Sequence, residues 1–304
     1  MIHDSCNLSL NKQFKELNPH GTLAFPCAGY AAHYTDRPED VISWHWHEEL
    51  EFIYAAQGRM EVRTPSQTFY LEAGDCLLLN GNVLHEVAAS PACDLRSFVF
   101  SPLLITGQAD ADFARKYVTP LMASPAFTGC LLRADGCFPE REWFCEAFAA
   151  MAEEHCGFEF TVRENLSRIC LGLYQRYEPR LDAPGRALNQ DSQRVKIMLA
   201  YLHGHFAEDV ALADVAHAAG ISERECLRCF QKTIHLSPIQ YLLKYRVMQG
   251  AAMLTAEPHR SISDIAARCG FDSQSNFAMV FRRFYRCAPR EYRQGREGKT
   301  AGTV

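Results

Sequence analysis

The chain has 304 residues, 48% of them hydrophobic and 22% charged, with a formal net charge of −5. That length accommodates about two domains, each with a core of its own. No apolar run approaches the roughly 20 residues of a membrane-spanning helix, and the opening MIHDSCNLSLNKQFKEL lacks the basic start and apolar core of a signal peptide, so a cytoplasmic protein with no membrane partner is expected.

Residues 22–101 read as β-rich. Short apolar runs are separated by turn signals at Gly58, Pro65-Ser66, Gly74-Asp75 and Asn80-Gly81, a spacing that predicts a sandwich or barrel. Within them SWHWHEELEFIYAAQG, residues 43–58, places His45, His47 and Glu51 at odd positions. On one β-strand such positions share a face, with Trp44, Trp46 and Tyr54 on the other. Two imidazoles and a carboxylate on one face can hold a divalent metal, and they can equally bond the hydroxyls of an organic ligand.

Helical periodicity takes over after about 110. PEREWFCEAFAAMAEEH carries a stripe of Trp143, Phe144, Ala147, Phe148 and Met151, and ENLSRICLGLYQRY one of Leu166, Ile169, Cys170, Leu173 and Tyr177. Each stripe needs an apolar partner, either the barrel exterior, a second subunit or both. Residues 178–190 hold two prolines, a glycine and charges and read as a linker. From 191 to about Tyr292 the pattern is helical again.

Charge divides along the same line. Residues 191–304 carry 16 Lys+Arg against 11 Asp+Glu, a net of +5, while residues 1–190 carry −10, which points to a polyanionic partner for the C-terminal third. The 13 cysteines have no paired spacing apart from Cys226–Cys229, which lies in a helical segment and reads as small buried residues in a reducing compartment.

The C-terminal third contains an internal repeat. Asp214, Ala216 and Gly220 match Asp264, Ala266 and Gly270, and Phe230, Pro238 and Tyr241 match Phe281, Pro289 and Tyr292. Each copy is a short apolar helix, a Gly turn and a longer helix, the pattern of a helix-turn-helix. Ala216 and Ala266 permit close helix approach, Gly220 and Gly270 suit a left-handed turn, and Ser222 and Ser273 suit N-caps.

On this doubled motif, residues 191–293 resemble the DNA-binding domain of the AraC/XylS family of bacterial transcription regulators. ISDIAARCGFDSQSNFAMVFRRFYRCAPREYR follows that family's signature almost throughout. His45, His47, Glu51 and Gly58 are spaced as in a cupin first motif, and Gly74 and His85 as in its second, where Asn80 and Asn82 replace a common Pro and Gly. The resemblance implies an α+β chain: a cupin-like sensing and dimerisation domain over 1–177 (barrel about 22–101, helices about 139–177), a linker over 178–190, an all-α domain with two helix-turn-helix units over 191–293, and a tail over 294–304. It implies a sequence-specific regulator rather than an enzyme, with double-stranded DNA, a small-molecule effector, RNA polymerase and a second copy of the chain as partners. The family leans towards activators, and the resemblance makes a carbohydrate the first effector to expect.

Residue by residue, Arg224, Glu225 and Arg228 occupy one face of the first recognition helix, with Leu227 and Phe230 turned to the core. Ser273, Gln274, Ser275, Asn276 and Met279 occupy the exposed start of the second, Met279 where many members have Arg. Arg282 and Arg283 suit phosphates. His45, His47, Glu51 and His85 are expected to converge in the barrel, on the effector or on a divalent metal. The metal reading makes the chain a metal-responsive regulator or a cupin metalloprotein joined to a DNA-binding domain.

Overall fold

The computed structural model describes residues 2–4, 8–11, 14–181 and 186–300, the side chains of 186–189, 192 and 295–300 excepted. Two compact units divide the chain at Ser192–Gln193.

The first unit is built on one eight-stranded mixed sheet: β1 (Ile2–His3), β2 (Cys27–Thr35), β3 (Ile42–His45), β4 (Leu50–Arg63), β5 (Thr68–Glu72), β6 (Cys76–Leu79), β7 (His85–Phe100) and β8 (Gly129–Leu132). The strands β7 and β4, 16 and 14 residues long, hold it together. β7 pairs antiparallel with β2, β3 and β4, and β4 also pairs with β5 and β6, which rolls the sheet around an interior. The period of two then sorts side chains onto two buried faces. Phe52, Leu78, Phe98 and Phe100 point outward, while Ile53, Leu77, Leu79 and Leu95 point inward.

The outward face is covered by α3 (Pro139–Glu153) and α4 (Phe158–Tyr177), which follow the short helices α1 (Leu103–Thr106) and α2 (Thr119–Ala123). Phe144 stacks on Phe52 at 4.7 Å and meets Phe98 edge-on at 5.3 Å. Met151, Leu166, Ile169 and Leu173 complete that core. Both predicted apolar stripes are therefore spent on the barrel exterior. Burying a Leu or Phe side chain contributes about 1.5–3 kcal/mol, so this layer anchors the two helices to the sheet. Strand β8 falls beyond residue 110, where the periodicity had turned helical; four residues, GCLL, are too few to show alternation.

The second unit is all helical: α5 (Arg186–Gly204), α6 (Leu212–Ala218), α7 (Glu223–Ile234), α8 (Pro238–Ala256), α9 (Ile262–Arg268), α10 (Gln274–Tyr285) and α11 (Pro289–Thr300). Helix α5 starts within the stretch expected as a linker, of which residues 182–185 lie outside the description, as do 301–304 of the expected tail. The pairs α6–α7 and α9–α10 are the two helix-turn-helix units. Gly220 and Gly270 sit in the turns at φ +64° and +75°. The hydroxyls of Ser222 and Ser273 accept from the backbone N–H groups of Glu225 and Asn276, at 3.3 and 3.2 Å, capping α7 and α10.

Ile265, Phe271, Phe277 and Phe281 form the second unit's core with Val247, Ala251 and Leu254 of α8, and Phe284 packs against it. In α7 the buried positions are Cys226, Cys229, Phe230, Thr233 and Ile234, while Leu227 is only half-buried. Cys226–Cys229 thus supplies core packing, and every described cysteine is a free thiol.

Candidate functional site

Two sites emerge, one in each unit. In the barrel, the single-strand account of His45, His47 and Glu51 needs correction. β3 ends at His45 and β4 begins at Leu50, so the chain leaves the sheet between the two imidazoles. Convergence comes instead from four segments: the end of β3, the start of β7 that pairs with it, the loop that carries His47, and the start of β4. His45 and His85 are register partners, their rings 4.1 Å apart. Ligand atoms of His45, His47 and His85 all lie within 4.8 Å of one another, and all three residues are buried.

Backbone carbonyls fix the tautomers. The Nδ1 of His45 donates to Ser43 O at 2.8 Å, that of His85 to Val83 O at 2.9 Å, and that of His47 to Glu49 O at 3.1 Å. A nitrogen facing a carbonyl oxygen must carry the proton, so in the neutral imidazole the lone pair is on Nε2. The Nε2 atoms of His85 and His47 lie 3.2 and 3.6 Å from Glu51 Oε2. All three of these atoms are buried without a hydrogen-bond partner. Neutral imidazoles and a carboxylate facing each other at that range repel unless a cation, either a proton on Nε2 or a metal ion, lies among them. Burial and the neighbouring His85 and His47 hold His45 well below the ordinary imidazole range, so it is neutral. Burial opposes ionisation of Glu51, yet the imidazoles of His47 and His85 hold its carboxyl below the usual range.

The space enclosed is small. Its volume is about 10 Å³, and Tyr30, Tyr34, Ser97 and Val99 join His45, His47 and Glu51 among its walls. One water or ion needs about 10–15 Å³, so the cavity admits one of those and no sugar. The residues fit a divalent cation: three fixed imidazole lone pairs and one carboxylate, each imidazole braced by a backbone carbonyl behind it.

Two wall residues escaped the sequence reading. Glu16 and His20 are 2% and 3% exposed and 3.3 Å apart, on a segment preceding β2. It is docked by backbone bonds from Glu16 to Trp46 O and from Trp46 to Phe14 O, both 2.9 Å. His20 Nδ1 meets the Tyr30 hydroxyl at 3.0 Å. The only hint in the sequence was a His and a Glu four residues apart in a segment with no periodicity.

In the second unit, Arg224 and Arg228 are exposed on α7 and Glu225 is half-buried beside them. On α10, Gln274 and Ser275 are exposed and Asn276 half-buried. Met279 is 68% exposed, and with Ser275, Ala278, Arg282 and Arg283 it lines a shallow depression. The Ser273 hydroxyl is engaged as the helix cap. Helices α7 and α10 therefore present polar N-terminal faces, with arginines on that of α7 and in the last turn of α10, and bury their apolar faces, the arrangement major-groove reading requires.

Comparison with known proteins agrees with this division. Residues 28–149 match the AraC-like ligand binding domain, and residues 215–295 match a helix-turn-helix domain. The HTH-type transcriptional regulator YdeC of Bacillus subtilis (strain 168) is 25% identical over 296 residues, 95% of this chain and 98% of that protein. The HTH-type transcriptional activator RhaS of Escherichia coli (strain K12 / DH10B) is 37% identical over 111 residues, 36% of this chain and 40% of RhaS. Among solved structures, fatty-acid-bound ToxT of Vibrio cholerae strain SCE256 aligns with 88% of this chain and 94% of its own, at 12% identity and a TM-score of 0.41. In the described residues no helix is long and apolar enough to cross a membrane.

Proposed function

The chain belongs to the AraC family of transcriptional regulators, and we propose that it is a sequence-specific activator whose barrel holds a divalent metal ion. DNA binding and an effector-binding domain come with the family. The metal, the promoter outcome and the contact residues are inferred. The observation that carries the metal is the inward set of His45, His47 and His85 lone pairs facing the Glu51 carboxylate. When bound, the ion would neutralise that carboxylate and tie the loop carrying His47 to β3, β4 and β7. The relatives are regulators rather than enzymes, so a structural or sensing ion suits this chain better than a catalytic one.

On the DNA side, Arg224 and Arg228 suit guanine, with Glu225 accepting from cytosine. Gln274 and Asn276 suit adenine, and Met279 a thymine methyl group. Arg282 and Arg283 neutralise phosphates, while Ser273 and Ser275 stand at the start of the helix nearest the backbone. Two copies of the chain on adjacent half-sites, with RNA polymerase as the downstream partner, complete the reading. The sensing domain is assigned to 1–177 and the DNA-binding domain to 191–293. Ligand state is transmitted through α3, α4 and the chain that follows, and it shifts a population only as far as the ligand prefers one arrangement.

Two experiments test this. Selection of DNA from a random pool by the full chain should recover a sequence with two half-sites, and recovery of no preferred sequence would end the regulator reading. Elemental analysis of the purified chain should find about one divalent ion per chain. A metal-free protein that takes up none of Mn, Fe, Co, Ni or Zn on dialysis would end the metal reading.

A further inference from the structure

The cavity inside the barrel is too small for an organic effector, but the first unit has room elsewhere. An open groove of about 710 Å³ lies between the turn before β2, helix α1 and the first two turns of α4, within the range of about 300–1,000 Å³ that small-molecule sites occupy. We propose that this groove is a second binding site, for a small apolar molecule carrying a single negative charge, such as a monocarboxylate. The proposal rests on the reading of this unit as a sensor and names where its organic effector binds.

Three exposed large apolar side chains gather here, among them the two most exposed in the described residues. Leu23 is 106% exposed, Phe160 81% and Leu103 46%, and all three line the groove. Leu23 is not at the tip of a loose loop. Thr22 N donates to Phe25 O at 2.9 Å, and Phe25 N donates back to Thr22 Oγ1 at 3.0 Å. Phe25 in turn meets Phe158 edge-on at 5.7 Å, which ties the turn to the start of α4. A rigid turn that holds a leucine wholly in water leaves apolar area for a ligand to cover.

The charge is specified too. Arg163 lines the groove and is steadied by a bond from its Nη2 to Ile105 O at 3.2 Å. Among the described residues no carboxylate lies within ion-pair distance of it. Glu49 and Glu159 also line the groove, so a polyanion such as a phosphate ester would be repelled, whereas one carboxylate opposite Arg163 is accommodated. His20 lines both this groove and the sealed cavity. A ligand seated here therefore touches a wall of the His/Glu site.

The test uses the full chain and 1-anilinonaphthalene-8-sulfonate, an aromatic monoanion that fluoresces in apolar surroundings. Saturable fluorescence is expected, displaced by octanoate but far less by octanol or octylammonium. Phe160→Asp and Leu23→Asp change exposed side chains and leave the fold intact. Each should weaken the dye at least about tenfold, the equivalent of one buried apolar group, and Arg163→Gln should abolish the preference for octanoate over octanol. Unchanged dye affinity in both Asp variants, or equal displacement by all three competitors, would overturn the proposal. The same preparations are assayed for DNA binding. Intact DNA binding without anion binding removes only the groove, whereas failure to select DNA removes the regulator reading itself.

Discussion

The carboxylate of Glu225 is gripped by Arg228, whose Nη2 and Nε donate to its two oxygens at 2.6 and 2.9 Å, while Arg194 adds a bond at 3.3 Å to the same Oε1. Helix α7 thus displays the arginine proposed to read a base already braced. An exposed pair of this kind is cheap to open, so a guanine can claim Arg228 without a large cost, and the brace limits how far the side chain wanders beforehand. Arg228→Ala should weaken binding to the selected site roughly tenfold to a hundredfold and relax specificity at one base pair. Binding of a panel of single-base variants checks this. A uniform loss on every sequence would assign Arg228 to the phosphates.

Arg283 gives the opposite expectation. It is exposed near the end of α10 with Arg282, away from the helix start proposed to read bases. Arg283→Ala should weaken specific and non-specific DNA alike, and the slope of log affinity against log salt should flatten by about one. A salt titration on both kinds of DNA decides it, and an unchanged slope would mean that Arg283 touches no phosphate.

These two sites were unequally legible. The helix-turn-helix units could be read because each is local: Gly220, Ser222 and Phe230 act within one short stretch, and the second copy repeats their spacing. The barrel site could be half read. His45, His47, Glu51 and His85 were all foreseen, yet strand parity gave the wrong reason, because a loop rather than a continuous strand carries His47. Glu16 and His20 were missed because their place depends on a segment folding back over β3, and no periodic pattern encodes that contact. Nor could the size of the cavity be read, since it depends on how Tyr30, Ser97 and Val99 pack across the interior.

The barrel's imidazoles provide the next measurement. His85→Ala removes the ring nitrogen nearest Glu51, 3.2 Å away, and with it one of the proposed metal ligands. Metal content should fall at least about tenfold, and Glu51→Gln should fall similarly because the compensating charge is gone. Elemental analysis and thermal unfolding with and without a chelator check both. If the chelator lowers the melting temperature of His85→Ala as much as that of the parent, His85 holds no ion.

In the DNA-binding unit the half-buried imidazole of His203 makes stability depend on pH. It stacks on Tyr245 at 3.4 Å and bonds the Tyr241 hydroxyl at 3.0 Å, and burial holds it well below the ordinary imidazole range. The unfolded chain takes up a proton near pH 6.5 that the folded chain refuses. The stabilisation is therefore complete above that pH and is lost as pH falls below it, by up to about 1.4 kcal/mol per pH unit. Urea titrations at pH 7, 6 and 5, followed by far-UV circular dichroism, should show this loss, and His203→Phe should lessen it. Parallel losses in both proteins would place the proton elsewhere.

The two turn glycines should differ in what they tolerate. Both hold left-handed backbone, so alanine at either costs about 1–2 kcal/mol from conformation alone. A Cβ on Gly220 would meet nothing within 4 Å, whereas one on Gly270 would lie 2.8 Å from Phe206 O and 3.0 Å from the Ala207 backbone. Backbone atoms cannot swing aside as a flexible side chain can, so Gly270→Ala must also displace the segment before α6 or tilt α9 away from it. Gly220→Ala is expected to lose only the conformational term, and Gly270→Ala to lose about 2 kcal/mol or more, with weaker DNA binding because α10 is displaced along with its turn. Urea unfolding of the two variants side by side measures the difference. Equal losses would mean that the contact behind Gly270 yields freely and that the second helix-turn-helix unit is less tightly seated than its packing implies.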